Sequence, residues 1–394
     1  MGKEQGNVFV GVLLVAGTCI GGGMLALPVL TSLGGFIPAL AIYFLCWLFM
    51  ICTGFLFLES CHWMEGEFNL VSMAEKTLGN KGKAAAWGIY LFLFYCLTLA
   101  YLVGCGNLMA QVFPIPDWSG PLVFVVIFAP FVILGTSAVG RINLFLMLGL
   151  GIAYLAFLFF GAPLVNTEML LERNWKMSTL ALPVAFTSFG YQGIIPTLSH
   201  YMNHDAKKMR IAIFVGSLIP LIVYIVWEGL ILGIVPIAGE GGLADALSQG
   251  QNAVQPLKNF IPHRNVYAFA QFFAFFALAT SFFGVTLGLI DFLADGLQIE
   301  KDKRGKCWLF CLVFIPPLVF AILYPHIFLS ALNYAGGFGC ALLLGLLPIL
   351  MVWSGRYHLQ LPSTFSLPGG KPLLLLLIFF VLFVVGLELH QLLS

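Results

Sequence analysis

Charge is scarce in this chain. Lys and Arg number 18 and Asp and Glu 17 among 394 residues, 9% in all, where a soluble domain carries about 25%. A sequence that is 60% hydrophobic cannot hide that much apolar surface in a soluble fold of this length, so the chain reads as an all-α integral membrane protein. The net charge of +1 and the lack of a long basic cluster give no sign of a nucleic-acid partner. Long polar stretches are also missing, which leaves no room for a soluble domain. The largest loop, about 237–265, is rich in Gly, Gln and Asn, and its LADAL run at 243–247 is short enough for one surface helix.

Paired cysteines are absent as a pattern. The nine (Cys19, Cys46, Cys52, Cys61, Cys96, Cys105, Cys307, Cys311 and Cys340) are odd in number and lie in or beside apolar runs. They read as small buried hydrophobes, not as a disulfide framework. Cys307 and Cys311 are one helical turn apart but lack the further ligands of a metal site. Histidine is missing from mid-membrane positions: His62, His200, His204, His263, His326, His358 and His390 fall in loops or at span ends. That removes the pairs an intramembrane enzyme needs and the ligands a haem needs, and no cofactor is expected. LGNKGK at 78–83 is similar to a phosphate loop but too tightly spaced for one, which argues against an ATP-driven pump. A channel needs a continuous polar lining or a ring of charge, and the sequence offers only two interruptions in its apolar spans.

What is present is a series of apolar runs, each near the ~20 residues that cross a bilayer. Eleven are expected, at 7–33, 36–61, 85–113, 120–138, 142–162, 179–200, 211–236, 266–298, 306–324, 328–352 and 372–393, with a very short turn near Arg141 between the fourth and fifth. Lys3 and the run after it resemble a signal peptide, but the run continues past Cys19 and reads as a retained first span. With the N-terminus in the cytoplasm, 14 of the 18 Lys and Arg fall on the inner side, leaving Arg173, Lys176, Lys258 and Arg264 outside. The positive-inside rule then puts the N-terminus in and the C-terminus out.

The first span holds its weakest backbone in its middle: VAGTCIGGGMLALP at 15–28 contains Gly17, Gly21, Gly22 and Gly23. Interrupted membrane helices survive only where protein or a watery cavity satisfies the freed backbone. The sixth span repeats the feature in FTSFGYQGIIPTL at 186–198. Thr18-x-x-Gly21 corresponds to Thr187-x-x-Gly190, and Pro28 to Pro196. Spans four and nine share a weaker match, APF at 129–131 and PPL at 316–318. Matched breaks in spans one and six imply two five-span halves, 7–162 and 179–352, of opposite orientation, with 372–393 added outside the repeat. Secondary transporters use this organisation and bind substrate at the paired breaks.

Such a break can hold an α-amino acid without a charged side chain. The N–H groups of Gly21, Gly22 and Gly23 attract a carboxylate, and the carbonyls of Ala16, Gly17 and Phe186 attract an ammonium group. The competing reading is that the glycines only let helices pack closely.

The stretches GTCIGGGMLALP at 17–28, PVAFTSFGYQGIIPTLSHYM at 183–202 and ATSFFGVTLGLIDFLAD at 279–295 resemble the bacterial aromatic amino acid permeases. The likeness spans nearly the whole chain and is strongest to the tyrosine-specific transporters, with the tryptophan permeases next. It implies a LeuT-like fold, that of the bacterial leucine transporter and the amino acid–polyamine–organocation superfamily. It also implies inner-membrane uptake of an aromatic amino acid, tyrosine first, driven by an ion gradient. The substrate site would then take in Ala16, Gly17, Thr18, Gly21, Gly22, Gly23, Phe186, Thr187 and Ser188. Phe189 and Tyr191 are candidate walls for the ring, with Gln192 near a phenol hydroxyl and Tyr95 and Tyr101 contributing from span three.

Two coupling ions remain open. Glu228, about 12 Å inside the end of span seven, and Asp291 in span eight are the proton-carrier candidates, since carboxyls in hydrocarbon are costly. Asp291 has an alternative as a gate contact with a Lys or Arg, and Glu59 and Glu388 are expected to reach the membrane interface. Ala277-x-x-Thr280-Ser281 resembles the pattern by which the leucine transporter class holds a sodium ion, and that resemblance implies a sodium site at Gly17, Ile20, Ala277, Thr280 and Ser281, whose uncharged oxygens suit a weakly held hard cation. The resemblance favours protons.

Overall fold

The computed structural model describes residues 6–66, 68–113, 115–363 and 365–393. Lys3, counted above among the inner-side charges, lies outside them. Among the described residues the protein is all-helical, with no strand. The helices are α1 (Val8–Cys19), α2 (Gly22–Thr31), α3 (Phe36–Cys61), α4 (Leu70–Val112), α5 (Gly120–Leu134), α6 (Thr136–Gly161), α7 (Trp175–Ser178), α8 (Leu182–Ser188), α9 (Ile195–Tyr201), α10 (Ala206–Ile234), α11 (Leu243–Ser248), α12 (Leu257–Phe260), α13 (Arg264–Leu297), α14 (Lys303–Leu323), α15 (Phe328–Tyr334), α16 (Leu347–Tyr357) and α17 (Gly370–Leu393). A π-helical stretch, Ala335–Leu346, makes α15 and α16 one continuous rod.

Eight of these rods among the described residues are long and apolar enough to cross a membrane, and the bent pair α1–α2 makes a ninth. The fourth expected span is a helix of 15 residues. The sixth is two helices of seven residues each, joined by a 3₁₀ turn over Gln192–Ile194. Neither reaches spanning length as an unbroken helix.

Capping chemistry explains several boundaries. Asn69 and Ser72 form a reciprocal capping box at the start of α4, so this helix begins well before the expected residue 85. Its course changes at Gly79, whose φ of 71° is not helical. The turn between the fourth and fifth spans lies at Gly135, not near Arg141. Gly135 has φ 96°, which glycine adopts without strain, and Arg141 sits inside α6. Asp205 caps α10 by accepting from Lys207 and Lys208 N–H groups. The LADAL run is the short helix α11, and the loop carrying it is tied to α2 by the Ala253 N–H donating to the Leu25 carbonyl at 2.9 Å.

The core surrounds α2, which is buried along its whole length. α8, α10, α11 and α13 pack around it. On the far side of α8 the π-helical stretch approaches so closely that a methyl group at Gly336 would lie 1.7 Å from the Pro183 carbonyl oxygen.

Candidate functional site

Between α1 and α2 the chain bends by 52°. Ile20 (φ −72°, ψ 106°) and Gly21 (φ −166°, ψ −152°) are both extended. The Ile20 N–H donates to the Ala16 carbonyl and the Met24 N–H to that of Gly21, each at 3.2 Å. Ala16 therefore does not offer the free carbonyl expected of it. Among the described residues the N–H groups of Gly21, Gly22 and Gly23 make no hydrogen bond, the condition of a helix start without a side-chain cap. Side chains here would have no room. A methyl group at Gly21 would lie 2.3 Å from Ser281 Oγ, at Gly22 2.6 Å from the Tyr101 ring, and at Gly23 2.4 Å from Ser188 Oγ.

α8 stops at Ser188. The Phe189 N–H still donates to Ala185, but the Gly190 N–H turns to Thr187, which releases the Phe186 carbonyl from its helical partner. The two breaks meet at Tyr224 of α10. Its hydroxyl lies 2.7 Å from the Cys19 carbonyl oxygen and 2.8 Å from that of Ser188. One proton is shared between the last carbonyl of α1 and the last of α8. The Phe189 ring stands edge-on to Tyr224 (5.1 Å between centroids) and to Tyr43 (6.2 Å).

The expected site residues separate into two groups. Gly21, Gly22, Gly23, Ser188, Phe189, Tyr101 and Ser281 gather at the breaks. The others face elsewhere. Tyr95 donates to the Leu312 carbonyl of α14. Thr18 is exposed and bonds back to Leu14, and Gly17 faces Met147 of α6. Thr187 bonds to Leu332 of α15, and Phe186 packs between Phe49 and Phe380. Tyr191 donates to the Met50 carbonyl, while the Gln192 amide donates to Met50 and Thr53 of α3 and accepts from the Tyr191 N–H. With its amide committed on both sides, Gln192 acts here as a brace against α3.

The carboxylates fall at four different kinds of place. Glu228 is fully buried on α10. Its Oε2 accepts from the Tyr43 hydroxyl at 2.5 Å and its Oε1 is paired with the Thr31 hydroxyl, which also bonds the Leu27 carbonyl at 2.8 Å. Asp291 is 59% exposed and pairs with Lys301 at 2.7 Å. Glu59, two residues from the end of α3, is buried within the protein and held by Arg356 through two nitrogens, with the Leu367 N–H as a third donor. Glu388 is likewise buried, against Gly337 of the π-helical stretch. Of the uncharged oxygens, the Thr280 hydroxyl is bonded to the Ala277 carbonyl at 3.1 Å, and Ile20 is half-buried at the first break.

Sequence reasoning passed over Tyr224, Tyr43 and Thr31. Only Tyr224 left a local signal: it precedes Glu228 by four residues, so both share one face of α10.

A multi-pass helical membrane protein with two adjoining helix interruptions and no separate soluble domain among its described residues has the architecture of a transport protein. The model of the tryptophan/tyrosine permease family matches residues 4–388, and the chain belongs to that family. It is 35% identical to tyrosine-specific transport system 1 of Haemophilus influenzae, over 96% of this chain and 94% of the relative. It is 30% identical to the tryptophan-specific transport protein of the same organism, over 94% and 92%. Identity to the tryptophan-specific transport protein of Shigella flexneri is 31%, over 94% and 92%. The protein is therefore a transporter, not an enzyme, and a multi-pass protein of the bacterial inner membrane.

Proposed function

We propose that the protein is a symporter that imports an aromatic amino acid, tyrosine first, and binds its zwitterionic end at the two helix breaks. The observation that carries this reading is the junction at Tyr224, which holds the ends of α1 and α8 together beside three N–H groups that make no hydrogen bond among the described residues. Those N–H groups receive the carboxylate. The carbonyls of Gly17 and Phe186 receive the ammonium group, and Phe189 with Tyr101 walls the ring. Names of relatives support both tyrosine and tryptophan as substrates.

In this reading the chain has eleven spans, with the N-terminus inside and the C-terminus outside. The short α5, with Leu122, Val126 and Leu134 exposed, then counts as a span on the outside of the bundle, and the mostly buried α8–α9 pair as a span whose broken backbone is tolerated within protein. Residues 7–162 and 179–352 form the inverted repeat of a LeuT-like fold, and 372–393 is an addition.

Coupling is assigned to protons at Glu228. Its surroundings satisfy either charge state. As a carboxylate it accepts from Tyr43 and Thr31; as a neutral acid it donates to Thr31, whose own proton goes to the Leu27 carbonyl. A proton can thus come and go without leaving an unpaired buried group. Asp291, exposed and ion-paired, fits a gate contact better than a carrier. A second reading, sodium coupling, draws on Ser281, whose hydroxyl adjoins the first break beside Thr280.

Uptake by proteoliposomes tests this. Labelled tyrosine should accumulate when a pH gradient is imposed in sodium-free buffer, and preloaded unlabelled tyrosine should accelerate labelled entry. Competition by tryptophan and phenylalanine ranks the substrates. Accumulation that requires sodium at fixed pH would move the coupling to Thr280 and Ser281. Entry with no acceleration by preloaded substrate would point to a pore.

A further inference from the structure

Past Gly79, α4 carries an exposed stripe. Lys81, Ala84, Ala85, Gly88 and Phe92 are all exposed, and their spacing puts them on one helix face. At the level of Gly88 this face borders the π-helical stretch of the α15–α16 rod. There Gly88, Ile89 and Phe92 on one side, with Phe338 and Leu342 on the other, line a groove of about 320 Å³. Space is open at Gly88, where an added methyl group would meet no atom within 4 Å. Lys81 lies two turns below, about 10 Å along the axis, and only alanines on the stripe stand between it and the groove. Residues 84–112 carry no charge, so Lys81 and Lys83 mark the border of the hydrocarbon on this helix. The two lysines differ. Lys83 is paired with Glu75 at 3.0 Å, whereas Lys81 makes no ion pair or hydrogen bond among the described residues.

We propose that this face of α4 binds one anionic phospholipid, with an acyl chain in the groove beside Gly88 and the headgroup phosphate on Lys81. The groove by itself selects nothing, since lipid tails are as apolar as the residues lining it. It fixes a chain in one place below which a free ammonium group waits at headgroup depth. A lysine near the membrane surface favours an anionic headgroup by about fivefold. Charge complementarity therefore decides which lipid stays, and the groove decides where. None of the groove's lining residues belongs to the two breaks, and the site depends on neither the substrate nor the coupling ion.

The experiment titrates the purified full-length protein in detergent with phosphatidylglycerol or phosphatidylcholine and counts bound lipids by native mass spectrometry. The wild type should retain phosphatidylglycerol about fivefold over phosphatidylcholine. Lys81→Gln should bring that ratio to about one, while Lys83→Gln should leave it unchanged because its charge is already engaged. Gly88→Leu should lower retention of both lipids, and its open surroundings predict an unchanged thermal midpoint. Inorganic phosphate should not displace the lipid. A wild type without preference, equal losses from both lysine variants, or full retention by Gly88→Leu would each overturn the proposal.

Discussion

Gly23 and Ser188 face each other across the two breaks so closely that a methyl group on the glycine would lie 2.4 Å from the serine Oγ and 3.0 Å from its Cα. The second of those atoms belongs to the backbone and cannot swing aside. Gly23→Ala is therefore expected to push the start of α2 away from the end of α8 and to abolish uptake while the protein still reaches the membrane. Gly193, in the 3₁₀ turn of the second break itself, supplies the control, since an added methyl group there meets nothing within 4 Å. Gly193→Ala should transport normally. Both variants are read by labelled tyrosine uptake normalised to protein in the membrane.

Tyr224→Phe keeps the ring against Phe189 and removes the hydroxyl shared by Cys19 and Ser188. Two buried carbonyls lose a donor, which costs about 1–3 kcal/mol. A lower thermal midpoint in detergent and weaker substrate binding are expected together. Loss of stability with unchanged binding would make Tyr224 a strut only.

Glu228→Gln separates carrier from scaffold. The amide retains the shape and still accepts from Tyr43, but it cannot load and release a proton. Exchange of labelled for unlabelled substrate should persist, and accumulation driven by a pH gradient should vanish. Tyr43→Phe, which removes one of the partners of Glu228, should shift the pH dependence of uptake without abolishing it. Full accumulation by Glu228→Gln would exclude this residue as the coupling site.

The Glu59–Arg356 pair predicts a stability effect without chemistry. Arg356→Ala leaves Glu59 buried with no cation, at a cost of about 3–5 kcal/mol. The combined Glu59→Met and Arg356→Leu replacement should recover most of it, because a desolvated ion pair is often no better than apolar packing. Thermal unfolding of the three proteins in the same detergent measures the difference.

The two breaks were legible in the sequence because clustered glycines inside an apolar run carry a local cost that only a local function or close packing explains. Boundaries were less legible. Hydropathy ends a helix where charges begin, yet the Asn69–Ser72 box starts α4 among them. Arg141 drew the expected turn to itself because it is charged, while the backbone turns at Gly135, where φ is positive. Long-range partners were invisible. Tyr224 reaches a carbonyl 205 residues away, and Glu59, expected at the interface from its place near a span end, is met by Arg356 297 residues later. For the same reason Gln192 and Tyr95 read as free polar groups, although α3 and α14 already occupy them.

Competition by analogues lacking one charge tests the binding mode most directly. Labelled tyrosine is bound to the purified protein and displaced by tyrosine, by tyramine, which has no carboxylate, or by 3-(4-hydroxyphenyl)propionate, which has no ammonium group. Each missing charge removes charge-assisted hydrogen bonds worth about 1.5–3 kcal/mol, so both analogues should compete at least about tenfold more weakly than tyrosine. Displacement by either analogue as readily as by tyrosine would contradict recognition of the zwitterion by the two interrupted helices.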